Sequence, residues 1–293
     1  MSQINKKYLD ILKQIDEEHK SFGDLHKNSK TLVIDGLNTF IRSWSTAPNL
    51  SDNGDHIGGI VGTLKSIGYA IRMINPTRVI LTFDGKGGAK SRQNIYAGYK
   101  ADRAKNKIRL NRAITGGDMN PEDEQISMRR QMVALGDVLN YLPVTTMLYD
   151  MVEADDVIGT LAKQAEKAGY QVYMVTPDKD YGQLVSEHIK IYKPPYQGGD
   201  VEIIGPAEVC EKWNINNVSQ VIDILGMMGD AVDNIPGIKG VGEKTASKLL
   251  KEYGKLENVL ANADNIKGAM GEKVRAGKEA AMMSKKLATI LLN

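Results

Sequence analysis

The chain has a single cysteine, Cys210, in 293 residues. No intrachain disulfide can form, and zinc motifs built on several cysteines are excluded. A reducing, cytosolic setting fits, and Cys210, at helical spacing after Pro206, reads as a core thiol and not a nucleophile. Long apolar runs are missing as well. The longest, such as Val79–Phe83, fall far short of the roughly 20 residues needed to cross a bilayer. Residues 1–29 are polar and mixed in charge, with no apolar stretch of signal-peptide character; they read as an appended helix or arm. Internal repeats and low-complexity tracts are absent. Nor does charge of one sign dominate, the formal net charge being +2.

That small net charge hides an asymmetry. Between Lys86 and Arg112 lie nine lysines and arginines, Arg92 and Arg103 among them, against one acid, Asp102. The segment therefore carries +8 and the rest of the chain −6. A cationic segment on an acidic body suits a polyanionic ligand meeting a cation-filled acidic site.

Apolar β-branched runs at Thr31–Ile34, Arg78–Phe83, Val144–Leu148 and Val172–Val175 alternate with helical patterns at Ile57–Ile74, Glu122–Tyr141 and Val157–Ala168. This alternation predicts an α/β fold, a mainly parallel central sheet flanked by helices on both faces. A large α/β domain is expected over 30–204, with a short strand at Val201–Ile203, and a helical region over 205–293.

The acids fall where composition alone would not put them. Asp35 and Asp84 directly follow the first two strands. Glu153, Asp155 and Asp156 follow the third, and Asp178 and Asp180 the fourth. In an open parallel sheet these loops share one edge, the site of the crevice. A lone Asp after a strand is as often a helix cap, a role Asp156 could serve. Capping cannot account for acids in all four loops. Seven converging carboxylates repel one another and need cations, and all-oxygen ligation suits Mg²⁺, or Mn²⁺ in its place. Two such ions are a standard device for in-line phosphodiester cleavage. Asp230 and Asp233, three apart, add two more acids on one face of a turn. Gly237, Gly240 and Gly242, followed by Lys244 and Thr245, then spell a hairpin opening onto a helix. Amides at such a helix start bind a DNA phosphate without reading sequence.

Together these residues resemble the flap endonuclease family, 5′-nucleases found as the amino-terminal domain of bacterial DNA polymerase I and as free-standing phage enzymes. The resemblance covers about residues 30–262 and is closest in Val152–Asp156, Thr176–Asp180 and Ile222–Leu250. It implies a PIN-like fold and structure-specific cleavage of DNA with 5′ flaps or 5′ ends, including RNA primers on DNA during replication. Asp84, Glu153, Asp155 and Asp156 would serve mainly one metal site. Asp178, Asp180, Asp230 and Asp233 would serve the second, with Asp35 nearby; Asp155 and Asp178 would be catalytically essential. The basic segment at about 86–118 would form a helical arch, in which Tyr99-Lys100-Ala101-Asp102-Arg103 matches a family element. There Lys100 would reach the scissile phosphate, Arg103 a neighbouring one, Tyr99 would stack on a base, and Arg92 would contact DNA. The hairpin would bind K⁺ through carbonyls. A monomer acting alone or by recruitment in the cytoplasm (the host's, if phage-encoded) is expected. The rival readings are a non-catalytic structure-specific DNA-binding protein, which predicts missing acids, and a PIN-type ribonuclease, which leaves hairpin and arch without a purpose.

Overall fold

The computed structural model describes residues 29–104, 110, 120–195 and 199–292. The expected arm lies outside these residues except for Ser29, as does most of the arch beyond Ala104. Six strands form one sheet in the order β3-β2-β1-β4-β5-β6. They are β1 (Lys30–Asp35), β2 (Arg78–Asp84), β3 (Thr145–Tyr149), β4 (Gln171–Val175), β5 (Ile189–Lys193) and β6 (Glu202–Ile204). All neighbours pair in parallel except the β5–β6 pair, which is antiparallel.

Alternation within β1 decides how the two faces are covered. Leu32 and Ile34 enter a cluster with Phe40 and Trp44 of α1 (Gly36–Thr46), Ile67 of α2 (Gly58–Ile74), and Leu135 of α4 (Pro121–Leu139). Val33, pointing the other way, joins Ile158 and Ala162 of α5 (Ala154–Lys167) and the apolar faces of the carboxy-terminal helices. Those helices are α6 (Pro206–Trp213), α7 (Val221–Met228), α8 (Glu243–Tyr253), α9 (Leu256–Ala261), α10 (Gly268–Ala276) and α11 (Lys278–Ala288). The helical region thus shares a core with the sheet, and α11 packs on α7. Caps fix several helix starts. Asn120 accepts from the amides of Glu122 and Asp123 to open α4, with Pro121 in the first turn.

The sequence reading missed one strand. It is Ile189–Lys193, in which Ile189 and Ile191 enter the core cluster of one face and Tyr192 that of the other, alongside Lys190 and Lys193. The expected strand at Val201–Ile203 is found one residue later.

Short α3 (Lys90–Ile95) and the 3₁₀ turn Ala101–Ala104 are the described part of the basic segment. Arg92 of α3 is 4% exposed. Its guanidinium forms a fork onto both oxygens of Asp156, at 2.9 and 2.7 Å, and donates to the carbonyls of Leu287 and Thr289. The expected DNA contact by Arg92 is therefore corrected: its donors are turned inward, clamping α5 to the carboxy-terminal segment. Arg92→Ala would leave the Asp156 carboxylate buried without its partner, which costs about 3–5 kcal/mol. A chemical denaturation midpoint lowered to match is expected, with little recovery in Arg92→Lys, which cannot form the fork. An unchanged midpoint would place Arg92 on the surface after all.

Candidate active site at the sheet edge

The parallel strands end in acid because each chain segment turns away there. Asp35 closes β1 and caps α1, accepting from the Asn38 amide at 2.9 Å. Asp84 closes β2 and accepts from the Ala154 amide at 2.9 Å, tying the β2 loop to the start of α5. Glu153 stands at the N-cap position of α5 and Asp155 in its first turn. Asp178 caps the 3₁₀ turn Lys179–Leu184, holding the Asp180 amide at 3.0 Å. Asp230 and Asp233 join from the loop after α7, where Asp230 and Ile235 exchange backbone hydrogen bonds.

Burial and mutual repulsion raise four of the carboxyls at this edge, Asp35, Asp155, Asp178 and Asp180, while Lys179 and backbone donors hold Asp230 below the usual range. Burial first, then the Asp155 charge, lifts Asp35 to about 7. Burial lifts Asp155 to about 6 against the pull of Lys100 and Tyr181. Asp180 is lifted to about 8 by burial and then by Asp178 and Asp230, and Asp178 is raised for the same kinds of reason. Asp180 Oδ1 is buried with no hydrogen-bond partner, whereas Glu153 Oε1 faces Arg92 Nη1 at 3.4 Å. Raised carboxyls with an orphaned oxygen, all oxygen donors and no sulfur or imidazole, are the donor set that suits Mg²⁺ or Mn²⁺. Among the described residues, however, no three acids, histidines or cysteines close around one point. Ammonium groups stand between them. Lys100 Nζ lies 2.5 Å from Glu153 Oε2 and 3.8 Å from Asp233 Oδ2, and Lys179 Nζ lies 2.8 Å from Asp230 Oδ2. The Lys100 amide also donates to the Asp233 carbonyl, and Asn234 Nδ2 to the Gly98 carbonyl, docking the basic segment on the edge.

The raised carboxyls set a pH dependence. From about pH 4 to pH 8 the folded chain holds protons on Asp35, Asp155 and Asp180 that the unfolded chain has released. Their contribution to stability is therefore fullest at low pH and is lost as pH rises through 6 to 8. In EDTA the denaturation midpoint should be higher near about pH 5.5 than near about pH 8.5, and Mg²⁺ should narrow the gap. A midpoint that rises with pH in EDTA would contradict the repulsion.

Three further expectations need correction. Asp156 does not join the cluster: Arg92 and the Leu291 amide occupy both its oxygens. It does not cap α5 either, since it lies within the helix. Tyr99 is 3% exposed, its hydroxyl 3.2 Å from Glu153 and its ring beneath the Lys100 ammonium, so it offers no face for a base. Gly237 is buried and its amide donates to Ser284 Oγ. Its φ of +61° and its close approach to Gly229 make it a structural glycine of the hairpin. Gly240, φ +77°, and Gly242 remain at the exposed tip, with Lys244 exposed in the first turn of α8 and Thr245 half-buried beside it. Lys273 Nζ stands 3.4 Å from the Gly240 carbonyl. Arg103 belongs to the turn Ala101–Ala104, and its side chain lies outside the described residues.

Two site residues carried no role in the sequence reading. Lys179, between two acids in Thr176–Asp180, neutralises Asp230. Tyr181 is wholly buried and donates to Asp155 Oδ1 at 2.5 Å. No local pattern links a tyrosine in one loop to an acid in another.

Comparison with known proteins agrees with this architecture. A family model described as the N-terminal resolvase-like domain of 5′-3′ exonuclease matches residues 30–214, and one described as its C-terminal SAM fold matches residues 216–293. DNA polymerase I of Bacillus caldotenax is 34% identical over 263 residues, 89% of this chain and 28% of that protein. DNA polymerase I of Bacillus subtilis is 34% identical over 267 residues, 90% of this chain and 28% of that protein. The chain thus spans little more than a quarter of the length of these relatives. Among solved structures, the T5 5′-exonuclease with bound zinc superposes with a TM-score of 0.71 at 17% identity, over 88% of this chain and 89% of that one. The catalytic core of Rad2 in complex with DNA gives 0.56 at 14% identity, over 91% of this chain and 79% of that one. At those identities the two structures establish a shared fold, while the two matched family models, which together take in almost every residue from Lys30 onward, place this chain in the 5′-3′ exonuclease family.

Proposed function

We propose that the chain is a structure-specific 5′-nuclease that hydrolyses DNA phosphodiesters near the junction of a 5′ single strand and duplex, with two or more divalent ions at the acid-lined edge. The observation that carries this reading is the convergence of carboxyls from β1, β2, α5, the 3₁₀ turn after β4 and the Asp230–Asp233 loop on one edge, where Asp35, Asp155, Asp178 and Asp180 are held above the usual carboxylate range. Asp35, Asp84, Glu153 and Asp155 would hold one ion, and Asp178, Asp180, Asp230 and Asp233 the other. Mg²⁺ bound there would supply Lewis acidity towards water and phosphate and offset charge at phosphorus. Glu153 and Asp230 become available to ions as Lys100 and Lys179 leave them, and Lys100 then has a phosphate oxygen as its partner. Arg103 holds the next phosphate. Backbone donors at the Gly240–Gly242 tip and Lys244 grip the duplex strand. A K⁺ ion at the hairpin carbonyls would compete with Lys273 for Gly240. The products are a 5′-phosphate and a 3′-hydroxyl, and the work is removal of primers and flaps in replication by a cytoplasmic monomer. No helix among the described residues is long and apolar enough to cross a membrane.

The test is substrate polarity in Mg²⁺. Duplexes with a 5′ flap should be cut near the junction, and matched 3′ flaps and single-stranded RNA left intact. Preferential cutting of single-stranded RNA would favour the ribonuclease reading, and binding without cleavage the non-catalytic one.

The hairpin has its own expectation. Lys244→Ala should weaken duplex binding about uniformly across sequences and lower the salt slope by about one. An unchanged slope in a binding titration over several salt concentrations would make the hairpin purely structural.

A further inference from the structure

Most acids at the edge have a carboxylate oxygen held by a protein donor, Glu153 by Lys100 and Tyr99, and Asp230 on its second oxygen by Lys179. On four acids a peptide N–H holds one oxygen: Asn38 onto Asp35, Ala154 onto Asp84, Asp180 onto Asp178 and Val232 onto Asp230. Asp155 differs. Its Oδ1 accepts from the Tyr181 hydroxyl at 2.5 Å, and no hydrogen bond among the described residues reaches Oδ2. Asp155 sits in the first turn of α5, facing the turn that begins with Lys179. Tyr181 supplies from that turn what a peptide amide supplies elsewhere. Its ring is fixed in the apolar cluster that includes Ile158, Leu184 and Ile224, so the hydroxyl has little freedom to move away.

We propose that Tyr181 is a positioning residue that restricts Asp155 to ligation through Oδ2 alone and so biases the site towards small, six-coordinate divalent ions over Ca²⁺. This rests on the reading of the edge as a divalent-cation site. The physical ground is the difference between the ions. Mg²⁺ and similar small ions demand near-octahedral geometry, which one oxygen per carboxylate serves. Ca²⁺ accepts six to eight oxygens, including both from one carboxylate. With Oδ1 engaged by a buried phenol, Asp155 offers the arrangement Mg²⁺ requires and withholds the one Ca²⁺ can exploit. The same pinning holds on Asp35, Asp84 and Asp178, but through backbone groups that substitution cannot remove. Tyr181 holds Asp155 through a side-chain hydroxyl without a charge of its own, so its donor can be removed by substitution.

The experiment compares full-length wild type with Tyr181→Phe, which keeps the ring and its packing and deletes only the donor. Mn²⁺ and Ca²⁺ affinities are measured separately by calorimetric titration without DNA, alongside thermal unfolding in EDTA. Loss of an outer partner of a ligand commonly costs about 10- to 100-fold in metal affinity. Mn²⁺ affinity should therefore fall by about tenfold or more while Ca²⁺ affinity holds or rises. A tyrosine that merely packs would leave both affinities unchanged or weaken both by one factor, and either result overturns the proposal. Wild type that binds neither ion would overturn the cation-site reading itself, and this is seen before the variant is compared.

Discussion

Asp178→Asn is expected to abolish cleavage of a 5′-flap substrate in Mg²⁺ while leaving the fold at least as stable as wild type. Asparagine keeps the volume and keeps an oxygen for the Asp180 amide, so the cap of the 3₁₀ turn survives. What disappears is a negative charge that raises Asp180, in a cluster where Asp230 and Asp233 raise Asp178 and Asp180. In the metal-free protein that loss relieves repulsion. In the working enzyme it removes a cation ligand, and an ion at a transferring phosphate is worth several kcal/mol. About 4 kcal/mol corresponds to about a thousandfold in rate. Asp155→Asn should behave alike in rate. Single-turnover cleavage and denaturation in EDTA check both halves. Near-wild-type turnover at saturating Mg²⁺ would remove Asp178 from the catalytic set, and a large drop in stability would make its role architectural.

Lys100→Ala is the second large effect, and it separates chemistry from binding. Lys100 adopts a left-handed backbone conformation, φ +55°, unusual for a residue with a side chain. Its amide is fixed to the Asp233 carbonyl and its ammonium reaches the acids. A cation aimed at a phosphoryl group in a water-poor site contributes about 3 kcal/mol, or more than about a hundredfold in rate. A lysine of the electrostatic field alone would lose far less, because the other cations between Lys86 and Arg112 still attract DNA. The expected result is a single-turnover rate at saturating enzyme lower by about a hundredfold or more, with flap affinity in Ca²⁺ within a few-fold. A near-wild-type rate with weakened affinity would assign Lys100 to the funnel that gathers DNA.

The site was legible in the sequence to the extent that local order determines it. Strands rich in apolar residues that end in Asp, or run into one in the next loop, place those acids at one edge of a parallel sheet, as Asp35 and Asp84 do at the ends of β1 and β2 and Asp178 just after β4. What could not be read was which charges face inward. Arg92 looks like one cation among nine; its burial is decided by carbonyls at Leu287 and Thr289, nearly two hundred residues away. Asp156, adjacent to Asp155, points into that clamp because neighbours on a helix diverge by about 100°. Tyr99 lies in a polar, basic neighbourhood, and only the tertiary approach of Glu153 makes it a core residue. In the same way Gly237 shares a motif with Gly240 and Gly242, but Ser284 on a distant helix captures its amide. Strand β5 gives a weaker signal than the continuous runs of the central strands because Lys190 and Lys193 break up its three apolar residues.

The most direct measurement is single-turnover cleavage of a 5′-flap duplex by the wild-type chain across a Mg²⁺ titration, starting from EDTA. The carboxylate-edge account predicts no cleavage in EDTA, a rate restored by Mg²⁺ with a dependence steeper than first order, and a cut placed near the junction. Cleavage in EDTA at the rate seen in Mg²⁺ would contradict it.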